Sequence, residues 1–311
     1  MRDLLLGLDG GGTQTRAALA VLDGTILSQG LAGACNLAAV APAEALAAAL
    51  TAADAALTEA GRERTNVAAL CAGVAGVSYS ERRALFLSGL QAAFPAARVS
   101  VEPDYVIALE GAMQGGPGVI VIAGTGSAAY GENAAGISHK TGGYGFLIDD
   151  GGSGYGVGRA ALTAVLRAAD GTGEATTLTG RISEALELSS FGDIVPGVYG
   201  GGLSRAAIAG LSRVVAEAAQ GDADPVARAL LMRAGGALAH LAYGVTQRLF
   251  AGAESPFPVV PIGGLWGAGD ALAETFTRSL RRFAPAASLT PPLRPPVEGA
   301  VLRARQLCVS T

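Results

Sequence analysis

The chain has 311 residues, of which 50% are hydrophobic and 15% are charged, and its formal net charge at pH 7 is −4. This length favours two domains, and this composition favours buried cores over extensive disorder. The scattered basic residues exclude an electrostatic footprint for nucleic acid, and no apolar run reaches the roughly 20 residues of a membrane span, so we expect a cytoplasmic protein with small-molecule chemistry.

The first predicted element is a β-hairpin. An apolar run over Leu4–Leu8 predicts a buried strand, and Asp9–Thr13 follows as a turn of almost bare backbone with one carboxylate. A second strand continues to Leu22, where Asp23-Gly24 predicts a tight hairpin turn. The bare turn presents backbone amides that suit a bulky anion.

Strands alternate with helices in the rest of the first half, which predicts an α/β domain. A loop around Asn36 precedes a helix over residues 42–60, and a strand over 67–71 ends in a small-residue turn that reaches Gly76. A helix over 80–94 and a strand over 98–102 come next. Pro103 stops that strand, and Asp104 opens the following helix.

The opening pattern repeats directly after a glycine-rich stretch at residues 115–118. Val119–Ala123 predicts a strand, Gly124–Ser127 forms a second bare turn, and another strand follows. This internal repeat predicts an N-terminal domain over residues 1–114, joined by a C-terminal helix over 297–311, and a C-terminal domain over 115–296. One glycine turn from each half is suited to clamp a single polyphosphate.

The second half is mostly helical. A glycine-rich loop spans residues 142–155, and a strand over 258–262 leads into a third glycine turn at 263–267. Helices are predicted over residues 157–169, 176–188, 204–220, 225–250, 271–283 and 297–307. Ser204 begins one of these helices, and Asp224 is expected to cap another.

Several common motifs are absent or incomplete. No Gly-Lys-Ser/Thr sequence occurs, which excludes a Walker-type phosphate loop. Gly124–Ala129 matches a dinucleotide fingerprint, but the following residues predict a strand where that motif requires a helix. The cysteines Cys35, Cys71 and Cys308 are too far apart to indicate a disulfide framework or a zinc site.

Three glycine turns that each follow an apolar strand predict nucleotide binding. Backbone N–H groups are expected to contact the phosphates, and nearby hydroxyl groups add further donors. These hydroxyl groups belong to Thr13, Thr15, Thr125 and Ser127.

These motifs together resemble the N-acetylglucosamine kinase branch of the sugar kinase/Hsp70/actin superfamily, which is grouped with the BadF/BadG/BcrA/BcrD-type ATPases. The resemblance runs from Leu4 to about Leu307. It implies an α/β fold of two duplicated ribonuclease H-like (actin/hexokinase-like) domains with an interdomain cleft. The matching segments are Leu8–Thr13, Glu102–Asp104, Ala123–Ser127, Gly142–Gly145, Asp150–Ser153 and Ile262–Gly264.

The resemblance also implies roles for individual positions. Asp9 corresponds to the residue that holds Mg²⁺, usually through water, and Asp104 to the carboxylate that takes the proton from the sugar hydroxyl. The implied ATP contacts are Gly11, Gly12, Thr13, Thr15, Gly124, Thr125, Gly126, Ser127, Gly263 and Gly264. The implied sugar contacts are Asn36, Gly76, Asp104, Gly143, Tyr144, Gly145 and Asp150.

Structural roles remain open for the polar residues at this stage. Asp104 also suits a helix start, and both Asp9 and Asn36 suit turns. Two positions depart from the family pattern: Tyr144 stands where a tryptophan is common, and Gly151 stands where a glutamate is common. The pocket therefore leaves the exact sugar undetermined.

The resemblance implies an ATP- and Mg²⁺-dependent kinase that phosphorylates the 6-hydroxyl of N-acetylglucosamine or glucosamine. N-acetylmuramic acid or another hexose is the alternative substrate. Two alternatives come from other classes: a BadF-type ATPase that activates a dehydratase, and a non-catalytic sugar sensor. The expected partners are ATP and a small sugar, without nucleic acid or membrane, and a homodimer is left open.

Overall fold

A computed structural model of the chain describes residues 3–77, 80–188 and 190–309. The polypeptide forms two compact units. Unit 1 contains the residues up to Gly116 and those from Pro291 onward, and unit 2 contains Pro117–Thr290. Each unit is built on one five-stranded sheet, so the α/β class predicted from the alternation of strands and helices is confirmed.

The described strands are β1 (Leu4–Gly10), β2 (Thr15–Val21), β3 (Ile26–Ala32), β4 (Val67–Val74), β5 (Arg98–Pro103), β6 (Gly118–Ala123), β7 (Ser127–Glu132), β8 (Ser138–Gly142), β9 (Phe257–Ile262) and β10 (Ala287–Leu289). The described α-helices are α1 (Pro42–Glu59), α2 (Ser80–Ala93), α3 (Asp104–Met113), α4 (Gly154–Ala169), α5 (Leu178–Ala185), α6 (Ile194–Tyr199), α7 (Arg205–Gly221), α8 (Pro225–Leu249), α9 (Asp270–Phe283) and α10 (Pro296–Val309).

The sheet of unit 1 has the order β3-β2-β1-β4-β5. β1 pairs antiparallel with β2 as the predicted hairpin, and it pairs parallel with β4, which in turn pairs parallel with β5. The carboxyl ends of these three parallel strands therefore meet at one edge. Asp9 is in register with Gly73, and Gly73 is in register with Glu102.

β1 is apolar from Leu4 to Leu8, where both of its faces are buried. Leu4, Leu6 and Leu8 belong to a core that also contains α1, whereas Leu5 belongs to a second core with α10. Gly7 lets α10 approach closely, since a Cβ there would lie 2.5 Å from the carbonyl oxygen of Val297. The C-terminal helix therefore completes the core beneath β1.

The sheet of unit 2 has the order β10-β9-β6-β7-β8, and it repeats the same hairpin. β6 pairs antiparallel with β7 and parallel with β9. A large apolar core joins this sheet to α4, α7, α8 and α9. The predicted helix starts at Ser204 and Asp224 are confirmed, because the Ser204 hydroxyl accepts from the Ala207 amide and the Asp224 carboxylate accepts from the Ala227 amide.

Some predicted boundaries were wrong. β8 and β10 were not predicted, because β8 has no apolar alternation and β10 has only three residues. α4 begins at Gly154 instead of Val157, since the Ser153 side chain caps it by accepting from the Gly156 amide. α5 ends at Ala185, before the predicted residue 188. Among the described helices, none combines the length and apolar character needed to cross a membrane.

Candidate active site

The first glycine turn joins β1 to β2 and leaves several backbone amides available, among them those of Gly12 and Thr13. The Gly11 amide donates to the Gln14 carbonyl at 3.0 Å, and the Gly10 carbonyl accepts from the Ala75 amide at 3.0 Å. The amides of Gly12 and Thr13 have no hydrogen-bond partner within the described ranges, and both residues are exposed. These two amides can donate to an anion, as predicted from the bare sequence.

Two carboxylates lie at the same edge of this sheet. Asp9 is near the end of β1, and Asp104 is the first residue of α3, directly after β5. Burial raises the pKa of Asp9 to about 6, with a further increase from the negative charge of Asp104 and a smaller opposing effect from Arg16. The two acids are therefore close enough to repel each other.

Asp104 does not cap α3 in the usual way. The N-cap residue is Pro103, for which no side-chain cap hydrogen bond forms, and Asp104 Oδ1 accepts from the amide of Tyr105 at 2.9 Å. A carboxylate in the first turn is stabilised by the positive end of the helix dipole. The bond from the Tyr105 amide holds the carboxylate at the edge of the sheet.

Asn36 lies beside the same turn. Its side-chain oxygen accepts from the Ala38 amide at 2.9 Å, which is the turn-forming role that the sequence left open. A Cβ on Gly12 would lie 3.8 Å from Asn36 Nδ2. Gly76 has a φ of +80°, and a Cβ there would collide with the Ala38 amide. Unit 1 thus brings Asn36 and Gly76 close to the glycine turn.

Thr15 has a different environment from the other threonine of this turn. Its hydroxyl donates to the Gly33 carbonyl at 2.7 Å, and the residue is almost fully buried. Thr13 is exposed. The Thr15 proton is therefore already used inside unit 1, whereas the Thr13 hydroxyl faces solvent.

The second glycine turn joins β6 to β7 in the same manner. The carbonyl of Gly124 accepts from the Gly154 amide at 2.7 Å, so the first residue of α4 is attached to the turn. The amides of Thr125 and Gly126 have no partner in the part of the chain that the structure describes. Unit 2 therefore repeats the pair of available amides found in unit 1.

Ser127 connects this turn to two parts of the glycine-rich loop. Its amide and its hydroxyl both donate to Asp150 Oδ1, at 2.6 and 2.9 Å. Its carbonyl accepts from the Gly143 amide at 3.0 Å. Burial raises the pKa of Asp150, while the two Ser127 hydrogen bonds and the nearby Arg205 lower it. The Ser127 hydroxyl proton is thus committed to Asp150.

Arg205 was not predicted from the sequence. It is the first residue of α7, its guanidinium lies 5.0 Å from the centroid of the Phe146 ring, and its Nη2 is 3.6 Å from Asp150 Oδ2. The sequence did contain one indication of its role. An arginine at the start of a predicted helix is disfavoured by the helix dipole, so its presence there indicates a function other than helix stabilisation.

Tyr144 lies on the exposed part of the glycine-rich loop. Its side chain is 62% exposed, and the flanking Gly143 and Gly145 have φ values of +69° and +91°. These conformations favour glycine, so the loop backbone depends on both positions. Tyr144 is available for a ligand without being part of the core.

Gly263 and Gly264 extend from the end of β9 to the second turn. Gly263 has a φ of +108°, and a Cβ there would collide with the carbonyl oxygen of Ala123. Trp266 anchors the following segment, since its Nε1 donates to the Val121 carbonyl at 3.0 Å. The third glycine turn is therefore directly adjacent to the second.

The predicted site residues thus form two groups, each inside one unit. Unit 1 contains Asp9, Gly11, Gly12, Thr13, Thr15, Asn36, Gly76 and Asp104. Unit 2 contains Gly124, Thr125, Gly126, Ser127, Gly143, Tyr144, Gly145, Asp150, Gly263 and Gly264.

Comparison with known proteins identifies the family and the fold. The model of the BadF/BadG/BcrA/BcrD ATPase family matches residues 6–304. The chain belongs to this family. Each unit has the sheet of the actin/hexokinase-like fold, and a candidate N-acetylglucosamine kinase of Chromobacterium violaceum is similar in structure, with a TM-score of 0.80, 30% identity and coverage of 96% of this chain and 98% of that one.

Two curated relatives of this chain are named as sugar kinases. The N-acetylmuramic acid/N-acetylglucosamine kinase of Clostridium acetobutylicum is 34% identical over 211 residues, covering 68% of this chain and 69% of the relative. The N-acetyl-D-glucosamine kinase of Dictyostelium discoideum is 29% identical over 313 residues, covering 97% and 98%.

The Mg²⁺ that the family implies is compatible with the residues present at Asp9. Mg²⁺ is commonly bound by one or two carboxylates together with water and substrate phosphates. Asp9 is a half-buried carboxylate with a second acid nearby, and its raised pKa shows that its negative charge is poorly compensated. A divalent cation would supply that compensation.

Proposed function

We propose that this family member is an ATP- and Mg²⁺-dependent amino-sugar kinase that transfers the γ-phosphate of ATP to the 6-hydroxyl of N-acetylglucosamine or glucosamine. The names of the two curated relatives support the kinase activity and the class of sugar. The observation that carries the proposal is the pair Asp9 and Asp104 at one sheet edge, next to a glycine turn with available amides.

Phosphoryl transfer depends mainly on positioning and on electrostatic stabilisation. The amides of Gly12 and Thr13 are suited to bind phosphate oxygens in unit 1, and those of Thr125 and Gly126 are suited to do so in unit 2. Mg²⁺ held by Asp9 would neutralise charge on the transferring phosphate. Each unit thus offers backbone donors suited to phosphate oxygens within its own glycine turn.

Asp104 is the residue suited to accept the proton of the sugar hydroxyl. The dipole of α3 favours its ionised form, and the bond from the Tyr105 amide orients one carboxylate oxygen. The hydroxyl oxygen then forms its bond to the γ-phosphorus as the bond from that phosphorus to the β,γ-bridging oxygen breaks and ADP leaves, while the hydroxyl proton moves to the carboxylate. Asn36 and Asp150 are suited to bind other hydroxyl groups of the sugar through their amide and carboxylate groups.

N-acetylmuramic acid is a second candidate substrate, because the Clostridium relative is named for both sugars. The departures at Tyr144 and Gly151 alter the loop that is proposed to form the pocket wall. A coupled ATP-consumption assay over N-acetylglucosamine, glucosamine, N-acetylmuramic acid, N-acetylmannosamine and glucose distinguishes these substrates. Phosphorylation of glucose alone would contradict the amino-sugar proposal.

The cysteines give no support to the alternative of a dehydratase activator with an iron–sulfur cluster. Cluster ligands are thiolates. Cys35 and Cys71 are both buried in unit 1, and burial raises the pKa of each thiol to about 12. A sugar kinase needs neither of them.

The decisive test is the Asp104→Asn variant. We expect kcat to fall by at least roughly 100-fold, because the proton acceptor is lost, while ADP affinity stays within about twofold. The matched control is Glu102→Gln, a nearby acid on β5, which should retain wild-type turnover. Turnover near the wild-type value in Asp104→Asn would remove Asp104 from this role, and parallel loss of ADP affinity would assign it a structural one.

A further inference from the structure

Arg205 occupies a position that its own helix disfavours. It is the first residue of α7, immediately after the N-cap Ser204, and the first turn of this helix contains no acidic residue. The positive end of the helix dipole repels a cation placed there. The guanidinium of Arg205 therefore needs a negatively charged group nearby to offset this repulsion.

Asp150 supplies only part of this compensation. The distance from Arg205 Nη2 to Asp150 Oδ2 is 3.6 Å, which exceeds the length of a charge-assisted hydrogen bond. Both Asp150 Oδ2 and Arg205 Nε are buried and have no hydrogen-bond partner among the described residues. The Asp150 side chain is only 3% exposed. A buried, unpaired carboxylate oxygen lies beside an incompletely paired guanidinium. A bound ligand would supply the hydrogen-bond partners that both groups lack.

Aromatic packing holds the guanidinium in place. Arg205 lies over the ring of Phe146, and the edge of that ring packs against Tyr155 with centroids 5.0 Å apart. Tyr155 belongs to the first turn of α4, which is attached to the second glycine turn. The guanidinium is therefore ordered by the same elements that order the turn.

The guanidinium lies directly beside the second glycine turn. A Cβ on Gly126 would be 3.4 Å from Arg205 Nη2 and 3.3 Å from Asp150 Oδ2. The amides of Thr125 and Gly126 are the two available donors of this turn. An anion seated on the turn would thus have backbone donors and a guanidinium within reach, a combination well suited to phosphate.

We propose that Arg205 is a phosphate ligand of the bound nucleotide. The inference rests on the proposed function in one respect, namely that a nucleotide phosphate binds at the Gly124–Ser127 turn. Arg205 also offsets the charge of Asp150, which would otherwise repel a phosphate at this turn. The unpaired Oδ2 of Asp150 remains available to accept a hydrogen bond from a hydroxyl group.

Calorimetric titration of ADP and of N-acetylglucosamine tests this role. In Arg205→Gln we expect the Kd for ADP to rise roughly 10- to 100-fold, as for loss of a hydrogen bond to a charged group. Arg205→Lys keeps the charge without the planar fork and should show a smaller increase. The Kd for N-acetylglucosamine should stay unchanged in both variants.

The matched control is Arg213→Gln, which removes an exposed arginine of the same helix and should leave both affinities at their wild-type values. Unchanged ADP affinity in Arg205→Gln would overturn the inference. Weaker sugar binding with unchanged ADP binding would also overturn it and make Arg205 a positioning residue for Asp150. Equal losses for both ligands would assign it a purely structural role. A wild-type protein that does not bind ADP would instead refute the proposed function itself.

Discussion

The two glycine turns occupy the same place in their hairpins but have different charged neighbours. In unit 1, the turn after β1 is accompanied by Asp9 and Asp104, whose mutual repulsion contributes to raising the pKa of Asp9 to about 6. In unit 2, the turn after β6 is accompanied by Asp150, whose charge is offset by two hydrogen bonds from Ser127 and by Arg205. The two hairpins thus present one turn beside two acids and one turn beside an acid that has a guanidinium neighbour.

This difference shows how one duplicated element can take two roles. An acidic turn with uncompensated charge favours a cation, whereas a turn that already has a guanidinium favours an anion directly. The backbone amides are common to both turns, so the side chains around them determine the difference. Substitutions at Asp9 and Asp150 test whether these two acids differ in the way that their surroundings indicate.

The largest expected effect comes from neutralising one acid in each unit. Asp9→Asn should reduce phosphorylation about a thousandfold, because it removes the proposed metal ligand. The same variant should be more stable at pH 8 by roughly 2 kcal/mol, since folding no longer buries an uncompensated charge. Asp150→Asn should change the stability less, because the Ser127 hydrogen bonds and Arg205 already offset part of the cost of burying that charge. Urea unfolding measures both changes.

The pH dependence of the unfolding free energy tests independently whether the charge of Asp9 destabilises the folded protein. The pKa of Asp9 is higher in the folded protein than in the unfolded chain, so folding favours the protonated acid. The wild type should therefore lose stability from this group as the pH rises from about 4 to about 6, and Asp9→Asn should not show that loss. A destabilised Asp9→Asn with an unchanged pH profile would contradict the comparison.

An intermediate loss of stability is expected from substituting Gly263, which lies next to the second glycine turn. Gly263→Ala forces a left-handed conformation on alanine and drives its Cβ against the Ala123 carbonyl, which we expect to cost roughly 2 to 4 kcal/mol of unfolding free energy. Gly264→Ala is the matched control, because a Cβ there meets nothing within 4 Å. Denaturant unfolding of the two variants should separate them, and equal midpoints would show that Gly263 does not support the turn.

The smallest effect separates two threonines of unit 1. Thr15→Val should lower the unfolding free energy by about 1 to 2 kcal/mol, because the Gly33 carbonyl loses its buried donor, and should change the KM for ATP little. Thr13→Val should leave stability unchanged and raise the KM for ATP a few-fold, since its hydroxyl is exposed at the turn. The reverse pattern would make Thr15 the nucleotide contact.

Much of this architecture was predictable from local pattern. Apolar runs ending in glycine identify β1 and β6, and Ser204 and Asp224 mark helix starts because their side chains satisfy amides of the first turn. The strand that follows Gly124–Ser127 also excludes a dinucleotide fold, as expected. These features depend on residues that are adjacent in the chain.

Features that depend on distant contacts were not predictable. β8 is a strand because it pairs with β7 at the edge of the sheet, although Ser138–Gly142 has no apolar alternation. Asp150 was predicted only as a sugar ligand, and its attachment to Ser127 requires the loop to return to the turn. The approach of Arg205 likewise depends on the packing of Phe146 between α4 and α7.

The position of α10 has a consequence for the order in which the protein is made. The helix covers one face of β1, and glycines at positions 7, 111 and 299 leave room for its close approach. The ribosome therefore releases β1, which carries Asp9, early. The helix that covers it, α10, is synthesised only after all of unit 2. Unit 2 is continuous in sequence and can fold first, so the apolar face of β1 remains open to chaperones or to misassembly until synthesis is nearly complete.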